Sequence, residues 1–128
     1  MTHDGFASML QTLGQAWTAR DYEQAIRFFA ADVHYGDPLR YTHKNRSDLL
    51  RFFQEDGGYE QRTDWHNVVF DEDRQLGAAE YSYLGHHLYH GIVLIKVEND
   101  KITRWREYQH ISDAPWEEFT AGTAFESP

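Results

Sequence analysis

The 128-residue chain contains no cysteine. Disulfides, thiolate metal sites and cysteine nucleophiles are therefore excluded, and a reducing setting, the cytoplasm, is expected. Basic residues are few: 12 Lys and Arg stand against 21 Asp and Glu, a formal net charge of −9. Partners rich in phosphate attract clustered Lys and Arg, and no such cluster is present, so neither nucleic acid nor an anionic membrane surface is expected. No apolar stretch approaches the ~20 residues of a membrane span. Met1-Thr2-His3-Asp4 is not a basic region leading into an apolar run, so no signal peptide is expected. Gly-rich phosphate loops, serine nucleophile elbows and dinucleotide fingerprints are all missing. What the chain has in quantity is aromatic side chains, 16% of its residues. Trp, Tyr and Phe are bulky, half-polar wall material, suited to a lined cavity and equally to an aromatic core.

The order of elements is legible from periodicity. Phe6, Met9, Leu10, Leu13, Ala16 and Trp17 recur at 3.6-residue spacing, predicting a first helix with Asp4 as N-cap. Asp21, with Gln24 three residues on, predicts the start of a second helix whose apolar face holds Ala25, Ile26, Phe28 and Phe29. Residues 33–37 read as a short strand stopped by Pro38, and residues 39–46 as irregular. A third helix is predicted over 47–55, ended by Gly57-Gly58. Strands follow over 59–70, 75–85, 88–97 and 101–111. Asp113-Ala114-Pro115-Trp116 opens a short C-terminal helix, and the last few residues are expected to fray. With no repeat or linker, residues 1–128 are expected to form one domain. Helices first and antiparallel strands second predict an α+β architecture, with a cavity where a curved sheet wraps over helices.

Three segments sharpen this. Residues 28–38 (FFAADVHYGDP) run from a helix end into a short strand. Residues 45–50 (NRSDLL) enter the third helix. Residues 100–108 (DKITRWREY) form the final strand. With these motifs the chain resembles the nuclear transport factor 2-like, or SnoaL-like, superfamily over nearly its whole length. The resemblance implies a cone-shaped curved sheet around three N-terminal helices, and a homodimer, for which an exposed sheet face with Ile92 and Leu94 supplies a physical cause. Asp37-Pro38 is similar to the Asp-Pro pair of ketosteroid isomerases, whose Asp transfers the proton. Those enzymes' oxyanion-binding Tyr and Asp fall near Leu13 and Val93. Tyr35 and Asp37 match a Tyr and an Asn of limonene epoxide hydrolases. Trp105-Arg106-Glu107-Tyr108 resembles their Trp-Arg-Asp-Tyr, where the acid is catalytic. Their further Arg and Asp fall near Tyr83 and Gly85.

Residues two apart on a strand share a face. Tyr35 and Asp37 are thus expected on one face, and Trp105, Glu107 and Gln109 on another. If both faces look into the cone, burial and mutual repulsion would split the two carboxylate pKa values, as acid/base work requires. Asp37 is the candidate base, Glu107 its partner acid and Tyr35 a hydrogen-bond donor. Trp105, Tyr81, Tyr83, Trp17, Asn67 and Gln109 are candidate substrate-binding residues, with His66 and Asn67 alternatives for one inward place. The plainer readings are that Asp37 caps a local turn, and that Glu107 forms a surface ion pair beside Arg104 and Arg106. Eight histidines invite a metal site, but His86 and His90 would lie ~13 Å apart on a strand, so neither metal nor cofactor is expected. Three functions stay open: an acid/base enzyme acting on a small hydrophobic molecule, a binding module without turnover, and a structural homodimer plugged by its own tyrosines.

Overall fold

The computed structural model describes residues 1–120, with side chains as far as Glu118. The fraying expected of the last few residues lies outside the described residues. Helices α1 (His3–Thr18), α2 (Tyr22–Ile26) and α3 (Arg46–Gln54) precede most of the sheet, and α4 (Trp116–Thr120) follows it. The six strands are β1 (Phe29–Asp37), β2 (Tyr41–His43), β3 (Arg62–Asp71), β4 (Leu76–Leu84), β5 (Leu88–Glu98) and β6 (Lys101–Ser112). They form one open, curved sheet in the order β2-β1-β6-β5-β4-β3. All pairings are antiparallel except β1 with β6, which run parallel.

Local chemistry accounts for most boundaries. Thr2, rather than Asp4, caps α1: its hydroxyl accepts from the Gly5 N–H at 3.0 Å, while Asp4 lies within the first turn. Asp21 caps α2 through the Gln24 N–H, as its spacing suggested. That helix stops at Ile26, however, and Phe29 already belongs to β1. The Phe29 ring is fully buried against Phe53 and Trp105, so tertiary packing overrides the helical reading of residues 28–29. Asn45 caps α3 through the Asp48 N–H. The turn between β5 and β6 has positive φ at both Asn99 and Asp100, the backbone of a tight two-residue hairpin.

The segment expected to be irregular contains β2. A Cβ at Gly36 would fall 2.1 Å from the Tyr41 carbonyl oxygen, so only glycine lets β2 return this close to β1. At the far edge, β3 carries a bulge. Trp65 pairs with Tyr81 and Val68 with Ala79, three steps along β3 against two along β4. The core lies between α1 and the inner sheet face, where Phe6, Leu10, Leu13, Val93, Ile95 and Ile102 are fully buried. None of the described helices is long and apolar enough to cross a membrane.

Candidate active site

Beyond the core, the same layer opens into a cavity of about 430 Å³. Its walls come from the end of α1 (Trp17), from α2 and α3 (Tyr22, Phe52, Phe53), the β1–β2 hairpin (Tyr35, Tyr41) and the inner faces of β3, β4 and β6 (Trp65, Tyr81, Tyr83, Trp105). Tyr35 and Trp105 are cross-strand neighbours, and their rings stack with centroids 5.2 Å apart. Trp17 meets the Trp105 ring edge-on at 5.8 Å.

Glu107 is the acid inside this wall. It is 4% exposed. It sits on the inner face of β6 because alternation from Trp105 through Glu107 to Gln109 keeps all three on one side; all three line the cavity. The Tyr41 hydroxyl donates to Glu107 Oε1. Oε2 accepts from the Tyr81 hydroxyl at 2.9 Å and from Gln109 Nε2 at 3.0 Å. Gln109 Nε2 also lies 2.6 Å from the Tyr81 oxygen, closing a small network. No ion pair among the described residues involves Glu107. Burial pushes its carboxyl above the ordinary value of 4.5, and the phenol hydrogen bonds from Tyr41 and Tyr81 offset only part of that rise. Trp105 Nε1 favours the anion by its proximity, without hydrogen-bond geometry. The Tyr41, Tyr81 and Tyr83 phenols are themselves pushed well up, first by burial, and stay neutral. The surface ion-pair reading of Glu107 is therefore incorrect: the side chain is internal, opposite Val93.

A second polar chain lies towards the rim. Arg20 Nη1 donates to Asp56 Oδ2 at 2.7 Å, the Tyr22 hydroxyl donates to the same oxygen, Gln61 Nε2 donates to the Tyr22 oxygen at 2.7 Å, and Tyr83 donates to Gln61 Oε1 at 2.9 Å. The hydrogen bond from Tyr22 is the main reason the Asp56 carboxyl sits below its usual range.

Of the residues singled out from sequence, Tyr35, Glu107, Trp105, Tyr81, Tyr83, Trp17 and Gln109 line the cavity. Asp37 does not. It is 3% exposed, its Oδ1 accepts from the Leu39 N–H at 2.9 Å, and Oδ2 lies 3.9 Å from Arg40 Nε. The turn after β1 draws the side chain away from the lumen, as the local-cap reading has it. Asn67 is also misplaced by the sequence reading. The extra residue of the β3 bulge puts both His66 and Asn67 on the outer face, where Asn67 donates to Glu80 and His66 meets Ser82. Trp65 and Thr63 take the inward places instead. Tyr41, the partner of Glu107, was missed altogether. Its signal was the Tyr41-Thr42-His43 run a hairpin turn after β1. Among the described residues, no group of three or more His, Asp or Glu side chains is placed to hold a metal ion.

Residues 10–105 match the model of the SnoaL-like domain family. No curated protein matches the sequence. Among solved structures, a protein assigned as a ketosteroid isomerase from Kribbella flavida superposes with a TM-score of 0.71 at 20% identity, over 93% of this chain and 89% of its own. An LEH-like epoxide hydrolase from M. tuberculosis gives 0.69 at 13% identity, over 80% of each chain. A protein assigned as a polyketide cyclase from Xanthomonas campestris gives 0.67 at 17% identity, over 95% of this chain and 98% of its own. At these identities the likeness is one of fold.

Proposed function

The chain belongs to the SnoaL-like domain family, and on that premise we propose that it is a cofactor-independent acid/base enzyme acting on a small, mostly apolar molecule. Fold neighbours are assigned as a ketosteroid isomerase, an epoxide hydrolase and a polyketide cyclase, and the reaction proposed here moves a proton on a small organic molecule. One observation carries the reading. A carboxyl group with a raised pKa stands in an aromatic cavity, held by neutral donors and, among the described residues, paired with no cation. A group so placed keeps its proton to higher pH than an ordinary carboxylate does, which favours its use in proton transfer. Glu107 exchanges the proton, Tyr41 and Tyr81 hold its anion, and Trp17, Tyr35, Trp105 and Tyr83 supply wall area. Gln109 orients the carboxylate. Asp37 acts on Glu107 through its charge rather than as the base. The family match ends at residue 105, so the role of Glu107 rests on geometry and not on the family.

The test is a carbon-13 NMR titration of the side-chain carboxyls, with Glu107→Gln to assign the signal. A Glu107 midpoint above 4.5 is the expected result. A midpoint at or below it would sink the acid/base reading and leave a binding module without turnover. The proposal includes a cytoplasmic setting, on the absence of cysteine, and a homodimer. The outer sheet face exposes Ile92 (48%), Leu94 (44%) and Tyr108 (42%) on adjacent strands, apolar area that a second copy would cover. Light scattering of Ile92→Lys against wild type checks this, a dimer in wild type and a monomer in the variant being expected; a monomeric wild type would discard it.

A further inference from the structure

The composition of the cavity wall is unlike that of the core beside it. Among the described residues, twelve of its 21 lining residues are Trp, Tyr or Phe, and none is Leu, Ile, Val, Met or Ala. The core a few residues away holds Leu10, Leu13, Leu49, Val93, Ile95 and Ile102. A site selecting a neutral hydrocarbon by shape has no reason to exclude aliphatic side chains. Aromatic rings differ from them in presenting an electron-rich face, which attracts a positive charge at close range.

The charges in the wall point the same way. Among the described residues, four charged side chains line the cavity: Arg40, Glu55, Asp56 and Glu107. Arg40 is paired with Asp37, and Asp56 with Arg20. Glu55 near the rim and Glu107 inside are left, and neither has an ion-pair partner among the described residues. An isolated buried carboxylate is costly unless a cation meets it. The phenols add to this. Tyr41 and Tyr81 donate their protons to Glu107 and Tyr83 donates to Gln61, so their remaining lone pairs are acceptors. The indole N–H groups of Trp17 and Trp105 are buried and make no hydrogen bond.

We infer that the ligand of this cavity is a small organic cation, an ammonium group on a mostly hydrocarbon body, with its charge against Glu107 and its methyl or methylene groups against the aromatic rings. The inference rests on the reading of the cavity as a ligand site and narrows it to one charge class. By linkage, a bound cation favours the Glu107 anion, so ionisation of Glu107 and binding of the cation strengthen each other. Cation affinity therefore falls as pH is lowered through the Glu107 midpoint, and affinity for an uncharged molecule of the same shape does not.

Choline and its carbon isostere 3,3-dimethylbutan-1-ol make the test, since choline keeps its charge at every pH. Binding is read from the fluorescence of the wall tryptophans. Choline is expected to bind at least about tenfold tighter than the alcohol at pH 8. The preference should fall in Glu107→Gln, where only the ring faces remain to favour the charge, and, in wild-type protein, shrink as the pH is lowered towards 4. The wild-type pH series keeps the test decisive should the variant fold poorly. Equal or tighter binding of the alcohol at pH 8 overturns the cation inference alone. Failure of both molecules to bind at millimolar concentration overturns it together with the reading of the cavity as a site.

Discussion

The two ends of the layer between helices and sheet are built from the same elements and behave differently. Helix α1 sends Phe6, Leu10 and Leu13 into one end and Trp17 into the other. Strand β5 sends Val93, Ile95 and Val97 into the first end; towards the second its inner face continues as Gly91 and Tyr89. At the closed end branched aliphatic side chains interdigitate and are fully buried. At the open end flat rings, some stacked and some edge to face, stand around a carboxylate and leave about 430 Å³ unfilled. Gly91 marks the change. A Cβ there would lie 2.4 Å from the Tyr108 carbonyl oxygen and 3.0 Å from the Tyr81 hydroxyl, so the missing side chain is what admits the Tyr81–Glu107–Gln109 network. The lesson is that a cavity in this fold needs more than large side chains: it needs shapes that cannot interlock and a polar group whose partners hold the rings apart.

Four substitutions probe that contrast, in order of expected effect. Leu10→Ala should lower stability by about 2–5 kcal/mol, because it leaves a void in the fully buried core. Urea unfolding measures the loss, and the Glu107 titration should be unmoved. Loss of stability together with a shifted Glu107 midpoint would show that the two ends are not separate. Gly91→Ala should cost about 1–3 kcal/mol by overpacking and should also displace the Tyr81 hydroxyl from Glu107. The same two measurements should therefore both change, in contrast to Leu10→Ala.

Glu107→Gln should have a smaller effect on stability, and one that depends on pH. The folded-state pKa is raised above the unfolded value, so the native protein holds this proton more tightly than the unfolded chain. The associated stability is fully present below pH 4.5 and is lost as pH rises through the folded midpoint. Relative to wild type, the variant should thus gain stability on going from acid to neutral pH, at the cost of one hydroxyl rotating to accept from the new amide. Thermal melts across that range check the sign, and parallel curves would show that Glu107 is not perturbed. Asp37→Asn should have the least effect. Its oxygen can still accept from the Leu39 N–H, and loss of the charge should move the Glu107 midpoint slightly down, since Asp37 helps to raise it. An upward shift in the NMR titration would contradict this placement of Asp37.

Much of the architecture was readable without coordinates. Period-3.6 apolar spacing marks α1 and α3, Asp21 marks the start of α2, and Asn99-Asp100 marks the β5–β6 turn. Alternation also placed Tyr81, Tyr83, Trp105, Glu107 and Gln109 on inner faces, where they line the cavity, because side-chain direction within a strand follows from the pleat alone. Apart from the α1 cap, which falls to Thr2 and not Asp4, the errors arise where distant segments meet. Phe29 went to a helix, β2 and its Tyr41 were taken as irregular, and His66 and Asn67 were offered as alternatives when a bulge turns both outwards.

The sequence by itself thus determined the α+β class, the order of the main elements and a supply of aromatic and acidic side chains on predictable strand faces. Only the tertiary structure decided which acid occupies the cavity and what surrounds it. Asp37 lost its place to a two-residue interaction with the Leu39 backbone, and Glu107 gained its partners from residues 66 positions before it and 26 before it. The physical reason is that pleat and periodicity are local, whereas register, bulges and the desolvation of a carboxylate are fixed by strands that meet only after the chain has folded.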